Sequence, residues 1–306
     1  MKEVGNIETE KTIMRKLTKE DAKDFYTLNL DEEVLKYTGD KPFENIQASI
    51  DFLTNYDQYE KYGVGRLAVI DKATSEFIVT APAHYKVVSN GLLLEESDLG
   101  NNTKLTHWKQ SVPVSSWLFV LGVADFAVKY VDDFNGKSIQ TWVYAKNREA
   151  GFFDFDEPTK KVLAYYSNYV GPYAYEKLAN IQTPSVNGGM ETSSAIFYGE
   201  DLVNGKRDER TRNIVIHEIA HQWFGNAVTE STWDDAWLSE GFATYFTLLY
   251  QEHAYGYQEY INGLKLAKRR VDNYTKTDST FSIISDRTAE SGIVTNTLTY
   301  QKGAWI

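Results

Sequence analysis

His217 and His221 stand four residues apart in an otherwise apolar stretch, and this pair constrains the fold more than any other feature of the 306-residue chain. On an α-helix, positions i and i+4 lie on one face, so both imidazoles point at one spot. Ile214, Val215, Ile216, Ile219, Ala220, Trp223 and Phe224 make such a helix apolar on most sides, which marks it as buried. Two buried imidazoles with Glu218 between them would cost on the order of several kcal/mol if left without partners. The competing reading, a solvated helix face that happens to carry two histidines, does not account for those flanks. A second apolar stretch, residues 237–250, places Glu240 near its first turn. Two histidines and a carboxylate suit one tetrahedral zinc ion with an open fourth position for water. Glu218 follows the first histidine, where its carboxylate reaches that water rather than the metal. The pattern is that of a metal-dependent hydrolase.

Composition narrows the donor set. The chain contains no cysteine, so disulfides and thiolate ligands are excluded and zinc must take imidazole and carboxylate. A formal net charge of −11 argues against a nucleic-acid partner and suits a site that holds a cationic group. No apolar run reaches membrane-spanning length, and residues 1–10 lack a signal-peptide core, so the expectation is a soluble, cytoplasmic protein.

Three textures follow one another along the chain. Residues 12–17 read as a short strand, Thr18 and Asp21 as a capping box, and Ala22, Phe25 and Leu28 as one face of a helix. Ile46, Ile50 and Leu53 repeat at helical spacing, continued by Tyr56 and Tyr59, before Gly63 and Gly65 and a strand over 66–70. From Glu76 the pattern predicts strands over 77–80, 85–88, 91–94, 116–123, 126–130 and 141–144, with turns at 89–91 and at Asn135-Gly136. Pro158 is expected to open a helix running to Tyr169, with helices dominating beyond it. His84, His107 and His253 lack a partner pattern and read as structural or surface residues. Thr244, one turn after Glu240, could orient a ligand, but reads better as a helix-interior residue.

From about residue 73 onward the chain resembles the gluzincin zinc aminopeptidases, the aminopeptidase N and leukotriene-A hydrolase family. The resemblance rests on Gly188-Gly189-Met190-Glu191-Thr192, the string His217 through Asn226, Trp237-Leu238-Ser239-Glu240-Gly241-Phe242-Ala243, and Tyr300-Gln301-Lys302-Gly303. Thr192 and Ser239 each replace an asparagine usual in the family. Residues 1–72 resemble instead the N-terminal half of GNAT-class N-acetyltransferases, at Glu8-Thr9-Glu10, residues 14–18, residues 37–43 and residues 68–72. The acetyl-CoA loop of that class is missing, since Gly63-x-Gly65 is too short, and acetyl transfer is not expected. Residues 71–78 fit either parent, so the expectation is a junction of two unrelated fragments, by recombination or by a sequence-assembly error.

The fold class that follows is α+β. It comprises a partial GNAT-like segment (1–72), the C-terminal half of a β-sandwich saddle domain (73–150) and a thermolysin-like, mostly helical catalytic domain (151–306) cut short at its C-terminus. The resemblance implies that His217, His221 and Glu240 hold zinc, that Glu218 is the general base, and that Tyr300 stabilises the oxyanion. It also implies that Gly188, Gly189, Met190 and Glu191 line the substrate strand, with Glu191 binding the free α-ammonium. A second amine-binding residue of the family would come from the absent half of the β domain. The expected function is removal of N-terminal residues from peptides. The alternative is a catalytically inactive chimeric fragment that keeps its zinc, and nothing in the sequence picks out epoxide hydrolysis.

Overall fold

The computed structural model describes residues 7–8, 13–14, 16–30, 35, 41–57, 61, 75–277, 283 and 297–305. Its N-terminal part contains an antiparallel pair, β1 (Ile7–Glu8) and β2 (Ile13–Met14), and two helices, α1 (Ala22–Asn29) and α2 (Ile46–Thr54). The expected cap forms: the Thr18 N–H donates to Asp21 Oδ2 at 2.9 Å, leading through a 3-10 turn (Lys19–Asp21) into α1. Phe25, Phe43 and Phe52 pack the two helices together, with ring centroids 5.5 to 5.8 Å apart. The readings at Tyr59, at Gly63 and Gly65, and over residues 9–10, 37–40 and 66–74 lie outside the described residues.

Turn chemistry and alternation then build a β-rich region. β3 (Glu76–Pro82), β4 (Lys86–Ser89), β5 (Leu92–Gly100) and β6 (Thr103–Lys109) come first. They are followed by β7 (Leu121–Ala124), β8 (Phe126–Phe134) and β9 (Lys137–Tyr144). β3, β6 and β5 form one antiparallel sheet, and β4 pairs with β7. β8 and β9 are a hairpin closed by Asn135 (φ 54°) and Gly136 (φ 79°), the left-handed pair whose twist matches that of the flanking strands.

Two strand expectations are corrected here. β6 was not anticipated, because lysines at both ends and buried Thr106 blur its alternation. Residues 116–123 are not one strand: Ser116–Leu118 is a 3-10 turn, and the strand begins at Leu121. The cause is distant in sequence. The Asn90 amide donates to Leu118 O at 2.9 Å and its Oδ1 accepts from the Val120 N–H at 2.8 Å, so these backbone groups serve a side chain rather than a ladder.

Helix α3 (Arg148–Tyr169) starts well before Pro158, which lies inside it and not at its first turn. The hydrogen bond lost at the proline is outweighed by burial of Phe155, Val162, Leu163 and Tyr166, which belong to the main core. Helices do not simply dominate beyond it. β10 (Lys177–Thr183), β11 (Gly189–Met190) and β12 (Ala195–Gly199) join β8 and β9 in a five-stranded sheet of order β11-β12-β10-β9-β8. β10 runs parallel to both β9 and β12, and both edges are antiparallel. Every residue of β10 and β12 is buried, so no alternation marks them in the sequence. The expected boundary at residue 150 falls inside α3 and divides this sheet.

Helices α4 (Glu209–His221), α5 (Ala236–Tyr255) and α6 (Tyr257–Thr277) follow, then a π-helical turn (Leu298–Lys302) and a 3-10 turn (Gly303–Trp305). Val215, Ile216 and Ile219 of α4 enter the same core as α3 and the sheet, which puts the histidine face of α4 at the edge of that core. Among the described residues, no helix is long and apolar enough to cross a membrane. The architecture is mixed α/β.

Candidate metal centre

Helix α4 is started by Asp208, whose carboxylate accepts from the Thr211 N–H at 2.9 Å, and it ends at His221. Its last turn therefore presents His217 and His221 together, as their spacing predicts. Helix α5 brings Glu240 up to them. The two Nε2 atoms are 3.0 Å apart, and each is 3.2 Å from Glu240 Oε2. These three atoms form a tight triangle at the mouth of the core, with His221 and Glu240 buried and His217 half-buried.

The donor set fits a metal ion on chemistry alone. His221 Nδ1 lies 3.0 Å from the Phe224 carbonyl, which can only accept, so the ring proton belongs on Nδ1. In the neutral ring, the form that binds a metal, Nε2 then turns a lone pair toward the triangle, where the second imidazole nitrogen and a carboxylate oxygen also point. A cation among them satisfies all three at once, and two imidazoles with one carboxylate is a zinc set.

Electrostatics at the site are dominated by carboxylates. Burial pulls the His221 imidazole down, but Glu191, Glu240 and Glu218 outweigh it and push its pKa up to about 10. Burial pushes Glu240 up in turn, and the two imidazoles overcome this and hold its carboxyl below the ordinary range. Glu218 is raised well above the usual carboxylate value, by burial first and then by the negative charge of Glu191. Burial and the Glu240 carboxylate raise the Tyr300 phenol, so it remains a donor at any ordinary pH. Its O–H donates to Glu240 Oε1 at 2.6 Å.

Two close approaches shape the site, and glycine permits both. A Cβ on Gly189 would lie 2.3 Å from Glu218 Cγ, so the missing side chain there leaves room for Glu218. Gly241 in α5 and Gly303 meet back to back: a Cβ on Gly241 would lie 2.7 Å from the Gly303 backbone. That contact docks the segment bearing Tyr300 onto the helix bearing Glu240. The Glu191 carboxylate comes within 4.8 Å of ligand atoms of Glu218 and His221, just beyond the two-residue strand β11 of Gly189 and Met190. Gly188, with φ 93°, precedes that strand.

Of the site residues expected from the sequence, His217, His221 and Glu240 form the triangle, Tyr300 hydrogen-bonds Glu240, Glu191 and Glu218 lie beside His221, and Gly189 lies against Glu218, with Gly188 and Met190 on either side of it. Sequence reasoning missed several others. Ser239 Oγ lies 3.1 Å from His221 Nδ1, so this hydroxyl helps hold the imidazole. Gln222 and Asn226 donate to the Glu191 carbonyl at 2.9 and 2.6 Å. Glu230 lies in the fields of Glu191 and His221, its carboxyl raised by burial and by Glu191. Adjacency to His221 was the one available signal for Gln222. His107 hydrogen-bonds Glu76 at 3.1 Å and His253 packs 4.6 Å from Tyr165, both away from the site.

Comparison with known proteins agrees with this geometry. Glutamyl aminopeptidase of Homo sapiens is 33% identical over 193 residues, which is 60% of this chain and 20% of that protein. Aminopeptidase M1 of Arabidopsis thaliana is 31% identical over 188 residues, covering 58% of this chain and 21% of that protein. The chain therefore spans about a fifth of the length of the curated relatives it matches. The M1 zinc metallopeptidase from Deinococcus radiodurans superposes with a TM-score of 0.60 at 25% identity, covering 75% of this chain and 49% of that one. A mutant of that peptidase bound to a Tyr-Ser-Ala substrate gives the same TM-score at 26% identity, covering 75% of this chain and 50% of that one. The model of the peptidase family M1 domain matches residues 153–306, the stretch that carries both histidines, Glu240 and Tyr300. The chain belongs to peptidase family M1.

Proposed function

We propose that this chain is a zinc-dependent aminopeptidase acting on peptides with a free N-terminus. The observation that carries the reading is the convergence of His217 Nε2, His221 Nε2 and Glu240 Oε2, with Glu218 and Glu191 beside them. His217, His221 and Glu240 would hold the ion, and zinc there supplies Lewis acidity that activates water near neutral pH and polarises a carbonyl.

The chain's own residues supply the rest. The Glu218 carboxylate accepts the proton of the attacking water and passes it to the departing amine as the C–N bond breaks. The Tyr300 phenol, held protonated by burial, donates to the oxyanion of the tetrahedral species. Glu191 accepts from the substrate's α-ammonium and so selects chain ends, with Gly188, Gly189 and Met190 forming the strand that leads to it. That ammonium also offsets the repulsion between Glu191 and Glu218. The acidic balance of the whole chain favours cationic groups over nucleic acid.

The catalytic domain in this reading begins before Phe126, where β8 opens the five-stranded sheet. β3 to β7 form the part of a saddle-like β domain that precedes it. Residues 1–72 are read, on their sequence motifs, as a GNAT-like segment joined to this fold.

Hydrolysis of a panel of aminoacyl-arylamides, with zinc content assayed alongside, tests the proposal. Turnover should vanish with a chelator and in Glu218→Gln. One equivalent of zinc with no turnover on any substrate would overturn it and leave an inactive metal-binding fragment.

A further inference from the structure

Glu191 lies one residue past the end of a very short ladder. β11 has two residues, paired as Gly189 with Tyr198 and Met190 with Phe197, so the Glu191 carbonyl has no strand to accept from. Two side-chain amides take the place of a strand. Gln222 Nε2 donates to Glu191 O at 2.9 Å, and Asn226 Nδ2 donates to the same oxygen at 2.6 Å. Both lone pairs of that carbonyl are thereby used. Gln222 and Asn226 are 1% and 3% exposed, so bulk water does not compete for these contacts.

The same two residues tie Glu191 to the metal helix. Gln222 directly follows His221, and its Nε2 also lies 3.4 Å from the Glu218 carbonyl. Its Oε1 accepts from the Ser194 N–H at 3.0 Å, which helps hold Ser194 at φ 64°, a left-handed conformation unfavourable for a serine. Asn226 Oδ1 is buried with no hydrogen-bond partner among the described residues, and its Nδ2 donates to the Glu191 carbonyl. A buried amide left half-satisfied is uncommon and calls for a reason. From the other side, Asn90 Nδ2 donates to Ser193 O at 2.6 Å and the Gly91 N–H donates to Ser194 Oγ at 2.8 Å. The loop 191–194 is thus held between the end of the metal helix and the β-rich region.

We propose that Gln222 and Asn226 are positioning residues for amine recognition, fixing the backbone of Glu191 at a set distance from the metal ligands. Their amides make the site discriminate for a free α-amine, and without them Glu191 is present but misplaced. The inference rests on the role proposed above for Glu191. It predicts that substrate end-selectivity depends on two residues that touch no substrate.

The test uses two hydroxamates that chelate zinc equally and differ only in an α-amine: leucine hydroxamate and its desamino counterpart. Their dissociation constants are measured by calorimetry on the zinc-loaded chain, and the ratio reports the amine site alone. In the Gln222→Met, Asn226→Ala double variant the preference for the amine should fall by about tenfold, the scale of one charge-assisted contact. Desamino binding and zinc content should be unchanged. With an arylamide substrate, KM should rise while kcat changes little. If the double variant does not fold, Asn226→Ala alone, with Gln222 still in place, should lower the preference by about threefold. A preference equal to wild type in either folded variant overturns the proposal. Glu191→Ala is the reference: if it leaves the preference intact, the assignment of Glu191 fails instead, and the two failures are told apart.

Discussion

The two halves of the cleft are built differently. The metal half comes from one helix and the helix after it: His217 and His221 share the last turn of α4, and Glu240 lies near the start of α5. The amine half comes from a loop whose partners lie 28 to 103 residues away, through Gln222, Asn226 and Asn90. Local periodicity specifies the first half, and long-range packing specifies the second. The first should therefore fail by losing its metal, and the second by losing geometry while keeping the metal.

The largest expected effect breaks the metal half. His221→Ala removes a ligand and leaves Glu240 and His217 facing a gap. Zinc content by atomic absorption should fall below a tenth of an equivalent, and kcat/KM should drop by about 10⁴-fold or more. Retention of zinc in that variant would mean that the triangle is not the site.

Next comes Gly189→Ala, which attacks the seam between the halves. The new methyl would overlap Glu218 Cγ and Cδ, so the carboxylate must shift by the order of an ångström. Zinc should stay bound while kcat falls by about 100-fold, the usual cost of such a misplacement. Unchanged kcat would show that Glu218 has room the structure does not give it.

A smaller effect is expected for Gly303→Ala. Its Cβ would sit 2.9 Å from Gly241 Cα, separating the Tyr300 segment from α5. A roughly tenfold loss in kcat with little change in KM is expected, because Tyr300, the proposed oxyanion donor, moves and Glu191, the proposed amine anchor, does not.

The smallest effect sharpens the amine half through its support. Lys177 of β10 is fully buried and donates to Ser89 O at 2.7 Å, beneath the turn whose Asn90 and Gly91 hold loop 191–194. Burial lowers its ammonium to about 7. Between that value and the ordinary lysine value of 10.5 the unfolded chain binds more protons, so this residue makes stability rise with pH across the window. Its penalty is full below about pH 7 and relieved toward 10.5. Urea unfolding from pH 7.5 to 9.5 should show a slope of about 1 kcal/mol per pH unit in the wild type relative to Lys177→Met. Parallel slopes in the two proteins would count against a neutral buried amine.

Legibility in the sequence followed the same division. The capping box at Thr18 and Asp21, the hairpin at Asn135-Gly136 and the helix of Ile46, Ile50 and Leu53 were readable, because each is a local pattern and forms as expected. Pro158 misled because proline at a helix start is a local rule, and burial of α3 overrode it. β10 and β12 were hidden because strands buried on both faces carry no alternation. The strand expected over 116–123 failed because Asn90, far away in the chain, claims its backbone groups. Ser239 stood in the sequence only as a replacement for an asparagine, and the fold brings its hydroxyl to His221.

What the sequence determined by itself is the convergence of the three residues proposed to hold the metal. A helix holds residues four apart on one face whatever surrounds it, so His217 and His221 converge by covalent geometry, and Glu240 needs only one helix packed on another. What tertiary structure decided is everything that must be brought to that set. The place of Glu191, the two amides that hold its carbonyl, the Gly241–Gly303 approach that delivers Tyr300 and the Gly189 face filled by Glu218 all depend on packing. No short-range rule encodes them, because each is a contact between segments whose separation is set only when the core between them closes.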